Sequence, residues 1–205
     1  MYIHQRYFNY RKILFFSLLF LLWTFFVLHG YLNDTDEFFY KNFLGSIDSK
    51  FFVYVNIFTQ AFAVKWAIVL TAILSFIIYK RTNYKYAILL IITVLLSALA
   101  NELIKNIIQK ARPIYKLVSE SGYSYPSGHS NAAATLLILF SLLYNEYKYN
   151  LKERIIYLIC AFLTLLIMFS RIYLGVHFFS DCIGGLILGI IFVEIANNIY
   201  KFIKN

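Results

Sequence analysis

Six stretches of this chain read as membrane-spanning helices: roughly residues 13–31, 61–79, 86–104, 130–145, 155–172 and 178–198. Crossing the hydrocarbon core of a bilayer takes about 20 mostly apolar residues in helical form. The fourth stretch is shorter, and the polar Asn131 weakens its start. Inside lipid every backbone polar group must pair internally, which leaves only helices or a closed barrel. No sustained apolar–polar alternation runs along the chain, so the reading is an all-α polytopic membrane protein, a six-transmembrane-helix bundle. No repeat, low-complexity tract or soluble domain interrupts it, and residues 1–205 are taken as one domain. Composition agrees: 61% of residues are hydrophobic and 14% charged, against about 25% charged in an ordinary soluble domain. A soluble globule and a disordered chain are both excluded. Cys160 and Cys182 lie in apolar stretches and are read as packing residues, not a disulfide framework.

Basic residues in short loops set orientation. Of the net charge of +9, a cytoplasmic N-terminus puts +8 inside and +1 outside. The inside set includes Arg6, Arg11, Lys12, Lys80, Arg81, Lys148, Lys152 and Arg154, offset by Glu146, Glu153 and Glu194. The outside set mixes cations such as Lys50, Lys110 and Lys116 with acids such as Asp36, Asp48 and Glu120. Both termini are therefore expected in the cytoplasm. The basic balance is assigned to topology, with no nucleic-acid partner. The first span follows Arg6, Arg11 and Lys12 but ends in Leu28-His29-Gly30-Tyr31-Leu32, a poor cleavage site, so it is read as a retained signal anchor.

Three polar stretches interrupt the apolar pattern: Lys105 to Arg112-Pro113, then Pro126-Ser127-Gly128-His129, then Ser170-Arg171 followed by His177 and Asp181. Two spans separate the third loop from the fifth, so all three stretches belong to one face. Lys105 and Arg112 are seven apart and share a helix face if the third span runs on. Arg offers a planar fork to phosphate oxygens and Lys a point charge. Ser127 has the place of a helix N-cap, Gly128 lets a ligand approach the backbone, and free N–H groups at a helix start bind phosphate. His177 and Asp181 stand four apart, on one face of a helix. That carboxylate can fix one imidazole tautomer and leave the other nitrogen free to attack. No Cys/His cluster has zinc spacing and no acidic cluster suggests a magnesium cage, so no metal and no cofactor is expected.

The series Lys-x6-Arg-Pro, Pro-Ser-Gly-His, Ser-Arg-x5-His-x3-Asp resembles the type 2 phosphatidic acid phosphatase superfamily. Lys105, Arg112, Pro113, Pro126, Ser127, Gly128, His129, Ser170, Arg171, His177 and Asp181 match its pattern with no departure. The resemblance implies that His177 is the nucleophile forming a phosphohistidine, oriented by Asp181. It implies that His129 protonates the leaving group and later helps water attack. Lys105, Arg112 and Arg171 would hold phosphate oxygens, with Ser127 and Gly128 completing the cradle. The residues alone left open which histidine attacks, although only His177 has an acidic residue four positions on.

The resulting expectation is an inner- or plasma-membrane lipid phosphatase with its site on the periplasmic or extracellular side. The resemblance offers undecaprenyl pyrophosphate, phosphatidylglycerophosphate, phosphatidate or lipid A phosphate as substrates, entering sideways from the bilayer. A phosphotransferase using the same intermediate is the main alternative, and a non-enzymatic transporter is remote. Gly185 and Gly189 suit close packing of the sixth span against Ala132-Ala133-Ala134. A homo-oligomer through the same glycines is the second reading. Residues 33–60 are long enough for an amphipathic segment on the membrane, anchored by Phe38, Phe39, Phe43, Phe51 and Phe52.

Overall fold

The computed structural model describes residues 10–44, 49–145 and 151–204. Arg6, Asp48, Glu146 and Lys148, part of the charge argument above, lie outside the described residues, as do the side chains of Lys50 and Glu153.

The described chain is helical, with no strand among the described residues. Its helices are α1 (Tyr10–Leu28), α2 (Asn33–Phe43), α3 (Ser49–Gln60), α4 (Val64–Arg81) and α5 (Tyr84–Ile108). Next comes α6, a continuous run of Gly128–Ala133, a π-helical turn Ala134–Ile138 and Leu139–Asn145. α7 (Leu151–Tyr173) and α8 (Phe179–Ile203) complete the chain. The Asn83 side chain starts α5 by accepting the Lys85 N–H at 2.9 Å. α5 ends at Gln109, which takes a left-handed conformation with φ 55° and returns its N–H to the Lys105 carbonyl.

Among the described residues, four helices are long and apolar enough to cross a membrane: Tyr10–Leu28, Tyr84–Ile108, Arg154–Tyr173 and Phe179–Ile203. A fifth crossing is available if Phe51–Gln60 and Lys65–Arg81, bent by 63° against each other, act as one broken span. The expected stretch 61–79 thus acquires a helical partner ahead of it, and 130–145 becomes the central α6. Leu14, Leu18 and Leu21 of α1, Leu95, Leu99 and Leu103 of α5, and Leu158, Phe162 and Leu165 of α7 are exposed. So much large apolar surface facing outward belongs in lipid. The chain is an integral membrane protein.

α6 sits in the middle, against α5, α7 and α8. Polar groups knit it in: Ser97 donates to Asn131 Oδ1 and shares a hydrogen bond with Thr135, both at 2.9 Å. Small residues let α8 approach. A Cβ on Gly185 would lie 2.4 Å from the Ser127 carbonyl, and one on Gly189 2.7 Å from the Ala134 Cβ. The glycine stripe therefore packs this chain's own helices, as the first reading had it. Both glycines are buried.

The aromatic residues of 33–60 divide. Phe39 stacks on Phe179 with ring centroids 4.2 Å apart, and Phe43 joins the same cluster with Met168 and Ile172. Phe52 packs on Tyr173, Leu174 and Val176. Only Phe38 and Phe51 of the five are exposed. α2 is thus a helix seated on α7 and α8 through one side, with Phe38 on its exposed side.

Candidate active site

Lys105 ends α5, His129 begins α6, Arg171 ends α7 and Asp181 begins α8, so four helix ends meet on one side of the bundle. The polar loop 109–127 and the turn 174–178 close over them. Gly175 makes that turn with φ +68°, a conformation that favours glycine.

Two local expectations change. α5 stops before Arg112, because the left-handed Gln109 breaks it, so Arg112 and Lys105 do not share a helix face. Arg112 reaches the site from the loop. Its guanidinium donates to the carbonyls of Ser121 and Gly122 and, at 2.9 Å, to that of Val176. His177 precedes α8 and so does not share its face with Asp181. Asp181 sits at the third helical position, where its Oδ2 accepts the Phe178 N–H at 2.9 Å.

The pair still meets. His177 Nδ1 lies 3.6 Å from Asp181 Oδ2, and both side chains are buried. Ser124 bridges them: its hydroxyl lies 3.5 Å from Nδ1 and donates a short hydrogen bond to Oδ2. On the other side of the ring an Arg112 N–H points at Nε2 from 3.1 Å. A guanidinium can only donate. Nε2 therefore carries the lone pair, and the proton belongs on Nδ1, toward Ser124 and Asp181. Burial pushes the His177 pKa down to about 4, with Arg112 and Arg171 adding to it and Asp181 opposing. At neutral pH the ring is an uncharged base.

Arg171 is 1% exposed. It donates to Thr59 Oγ1 of α3 at 3.2 Å and pairs with Glu120 Oε1 at 2.5 Å, while its Nε has no partner. Glu120 stands among the cations. Burial raises its pKa, but Arg171, then Arg112, outweigh that and hold it below its ordinary value. Lys105, Arg112, Arg171 and His177 all lie close enough to His129 to act on its charge. His129 Nε2 is buried without a hydrogen-bond partner.

Ser127 is the N-cap of α6. Its hydroxyl accepts the Ser130 N–H at 3.4 Å and the Ser130 hydroxyl at 3.0 Å, and its own N–H goes to the Asp181 carbonyl. The side chain is thus spent on the helix start. A cradle here would use the N–H groups of Gly128 and His129, which have no acceptor within the helix. A Cβ on Gly128 would lie 3.9 Å from Lys105 Nζ, so the glycine keeps the space in front of that ammonium open.

Sequence reasoning missed Ser124, Glu120, Thr59, Lys110 and Asp36. Ser124 stood two residues before Pro126 and Lys110 inside the Lys-x6-Arg stretch, so position marked both. Nothing in spacing pointed to Asp36 or Thr59. Among the described residues no three His, Cys, Asp or Glu side chains converge as a metal site. A cavity of about 800 Å³ opens at the far ends of the helices, beside Lys12, Arg154 and Glu194. It is remote from every residue of the site.

Residues 85–204 match the PAP2 superfamily. Phosphatidylglycerophosphatase B of Bacillus subtilis is 36% identical over 109 residues, covering 52% of this chain and 54% of that protein. An undecaprenyl-diphosphatase of Sulfolobus acidocaldarius is 32% identical over 124 residues, covering 55% and 54% respectively. The matches span about half the length of these curated relatives. A crystal structure of a transmembrane PAP2-type phosphatidylglycerolphosphate phosphatase from Bacillus subtilis superposes with a TM-score of 0.86 at 25% identity. That match covers 95% of this chain and 98% of the other. With the family match spanning more than half its length, the chain belongs to the PAP2 superfamily.

Proposed function

We propose that this protein hydrolyses a lipid phosphomonoester or pyrophosphate through a phosphohistidine on His177. The observation that carries the reading is the geometry around His177, from which its tautomer follows. Nδ1 is turned to Ser124 and Asp181, and the Nε2 lone pair faces the cations.

In the first step the Arg112 N–H turns from Nε2 to a phosphate oxygen, the freed Nε2 lone pair attacks phosphorus, an N–P bond forms and the bond to the leaving oxygen breaks. The His129 imidazolium gives its proton to that oxygen. A phosphate dianion entering among these groups favours the charged form of His129. The positive charge gained by His177 is met by Asp181. In the second step His129 takes a proton from water, the water oxygen attacks phosphorus, and the N–P bond returns its electrons to Nε2. Arg112, Arg171, Lys105 and the first N–H groups of α6 meet the charge on the phosphoryl oxygens. Glu120 must leave Arg171 as phosphate arrives.

The topology that suits this chemistry has six crossings, with α3 and α4 as one broken span and α6 as a short central one. Both termini are then cytoplasmic and the site lies at the outer boundary of the inner or plasma membrane. A head group enters the cationic pocket while its tails stay in lipid. The relatives' names cover phosphatidylglycerophosphate, undecaprenyl diphosphate and lipid A phosphates, and phosphatidate joins them as a candidate.

Phosphate release by the purified protein, measured across these lipids beside His177→Ala, tests the reading. Release by the wild type and none by the variant is expected. Phosphate moved to an added lipid or sugar acceptor instead of to water would make the protein a phosphotransferase.

A further inference from the structure

Asp181 carries more than His177. Its Oδ1 accepts from Lys110 Nζ at 2.9 Å, and the same ammonium reaches Asp36 Oδ2 at 3.1 Å and Ser180 Oγ at 2.8 Å. Asp36 comes from α2, 145 positions before Asp181 in the chain. Its Oδ1 accepts the Ser180 N–H at 2.7 Å and its Oδ2 the Ser180 hydroxyl at 2.6 Å. The side chains of Lys110, Asp36 and Asp181 are 19%, 6% and 0% exposed. The Lys110 carbonyl also accepts the Ser124 N–H, and Ser124 is the hydroxyl that bridges His177 and Asp181. Lys110 thus fixes both groups that face Nδ1. Its ammonium rests over the Phe178 ring, 4.7 Å from the centroid.

We infer that Lys110 and Asp36 are positioning residues that hold Asp181 and set how strongly its charge supports His177. Three charges stand in a row behind the imidazole: negative on Asp181, positive on Lys110, negative on Asp36. Burying such a row is costly unless each member is paired. Lys110 alone would nearly cancel the Asp181 carboxylate as felt by His177. Asp36 returns part of that negative charge, so the row leaves a net single negative charge behind the ring. Because Asp36 rides on α2, seating that helix on α7 and α8 also completes the electrostatics of the site.

The inference rests on His177 being the nucleophile, and the experiment separates the two. The acid limb of kcat/KM is measured for the purified full-length protein in detergent with one lipid phosphate. The substrate's own titration is then common to every variant. The other charged and titratable groups around the pair are also unchanged: Arg112 and Glu120 of the loop, Lys105 of α5, His129 of α6 and Arg171 of α7. Lys110→Met removes a positive charge and should move the acid limb up by about half a unit to one unit. Asp36→Asn leaves Lys110 uncompensated and should move it down by a similar amount, as expected for a unit charge at this range in a partly screened site. The double variant should return the limb close to the wild type, and Lys110→Arg should keep it there.

A purely structural role would lower kcat in both single variants and leave both limbs in place, or move them the same way. Either outcome overturns the inference. Should Lys110→Met not fold, Asp36→Asn and Lys110→Arg still carry the test. A downward limb in the first and an unmoved limb in the second support the relay, and an unmoved limb in Asp36→Asn overturns it. If His177→Ala keeps its activity, the nucleophile assignment fails whatever the limbs do.

Discussion

In the proposed mechanism the state of one imidazole governs the chemistry at the residue scale. His177 is buried and faces Arg112, and the pKa falls to about 4. Only the neutral ring has a lone pair to offer, so activity is present above that value and lost as pH falls through it. The His177 ring should therefore titrate well below pH 6.5, read from the pH dependence of its NMR shifts in the substrate-free protein. A ring titrating near 6.5 would be behaving as if free in water. Glu120 is the second residue with a readable consequence. Its carboxylate occupies Arg171, the place a phosphate oxygen would take. Glu120→Gln removes a charged competitor, and KM and the inhibition constant for vanadate should each fall about 3- to 10-fold, a change of roughly 1 kcal/mol. Unchanged or weaker vanadate binding would mean that Glu120 helps hold Arg171 in its binding posture.

Helix contacts decide how those residues meet. α8 reaches α6 only because Gly185 and Gly189 have no side chain. Gly185→Ala drives a methyl group into the Ser127 carbonyl at the start of α6. It should cost about 1–3 kcal/mol in stability and lower kcat, read by thermal unfolding in detergent and by phosphate release. Normal values for both would mean that the helix pair has slack. The glycine spacing, the Ser127 cap and the motif residues were legible in the sequence because each is a local pattern. The left-handed Gln109 was not legible. Nothing in Ile107-Ile108-Gln109-Lys110 marks a helix end, and a two-turn spacing between Lys105 and Arg112 looked like a shared face. The same break hid Lys110, which leaves the helix line and turns to Asp181. Asp36 and Thr59 reach the site through tertiary packing from distant segments, and Glu120 from the loop between the first two motifs. No periodicity links them to it.

Charge and apolar surface describe the whole molecule together. Large apolar side chains face outward on α1, α4, α5 and α7, while the buried charges gather at the end where α5 and α7 finish and α6 and α8 begin. Among the described cations at that end are Lys105, Lys110, Lys116, Arg112 and Arg171. Lys116 points to the Glu120 carbonyl at 3.0 Å, and the other four serve the site directly or through Asp181. With phosphate charge met by side chains, turnover should survive EDTA. Loss on chelation and return with Mg²⁺ would require a metal in the reaction. The proposed six-crossing topology predicts that single cysteines placed near Arg112 and near Arg81 react with impermeant reagent from opposite sides of the membrane. Labelling from the same side would remove a crossing between them.

The central claim is that phosphorus passes through His177 Nε2. Quenching the enzyme during turnover of a lipid carrying labelled phosphate, then mapping the label, tests it most directly. The expected result is an acid-labile, base-stable phosphate on His177 in the wild type and none in His177→Ala. Undiminished labelling in His177→Ala, or turnover without any phosphoenzyme, would contradict it.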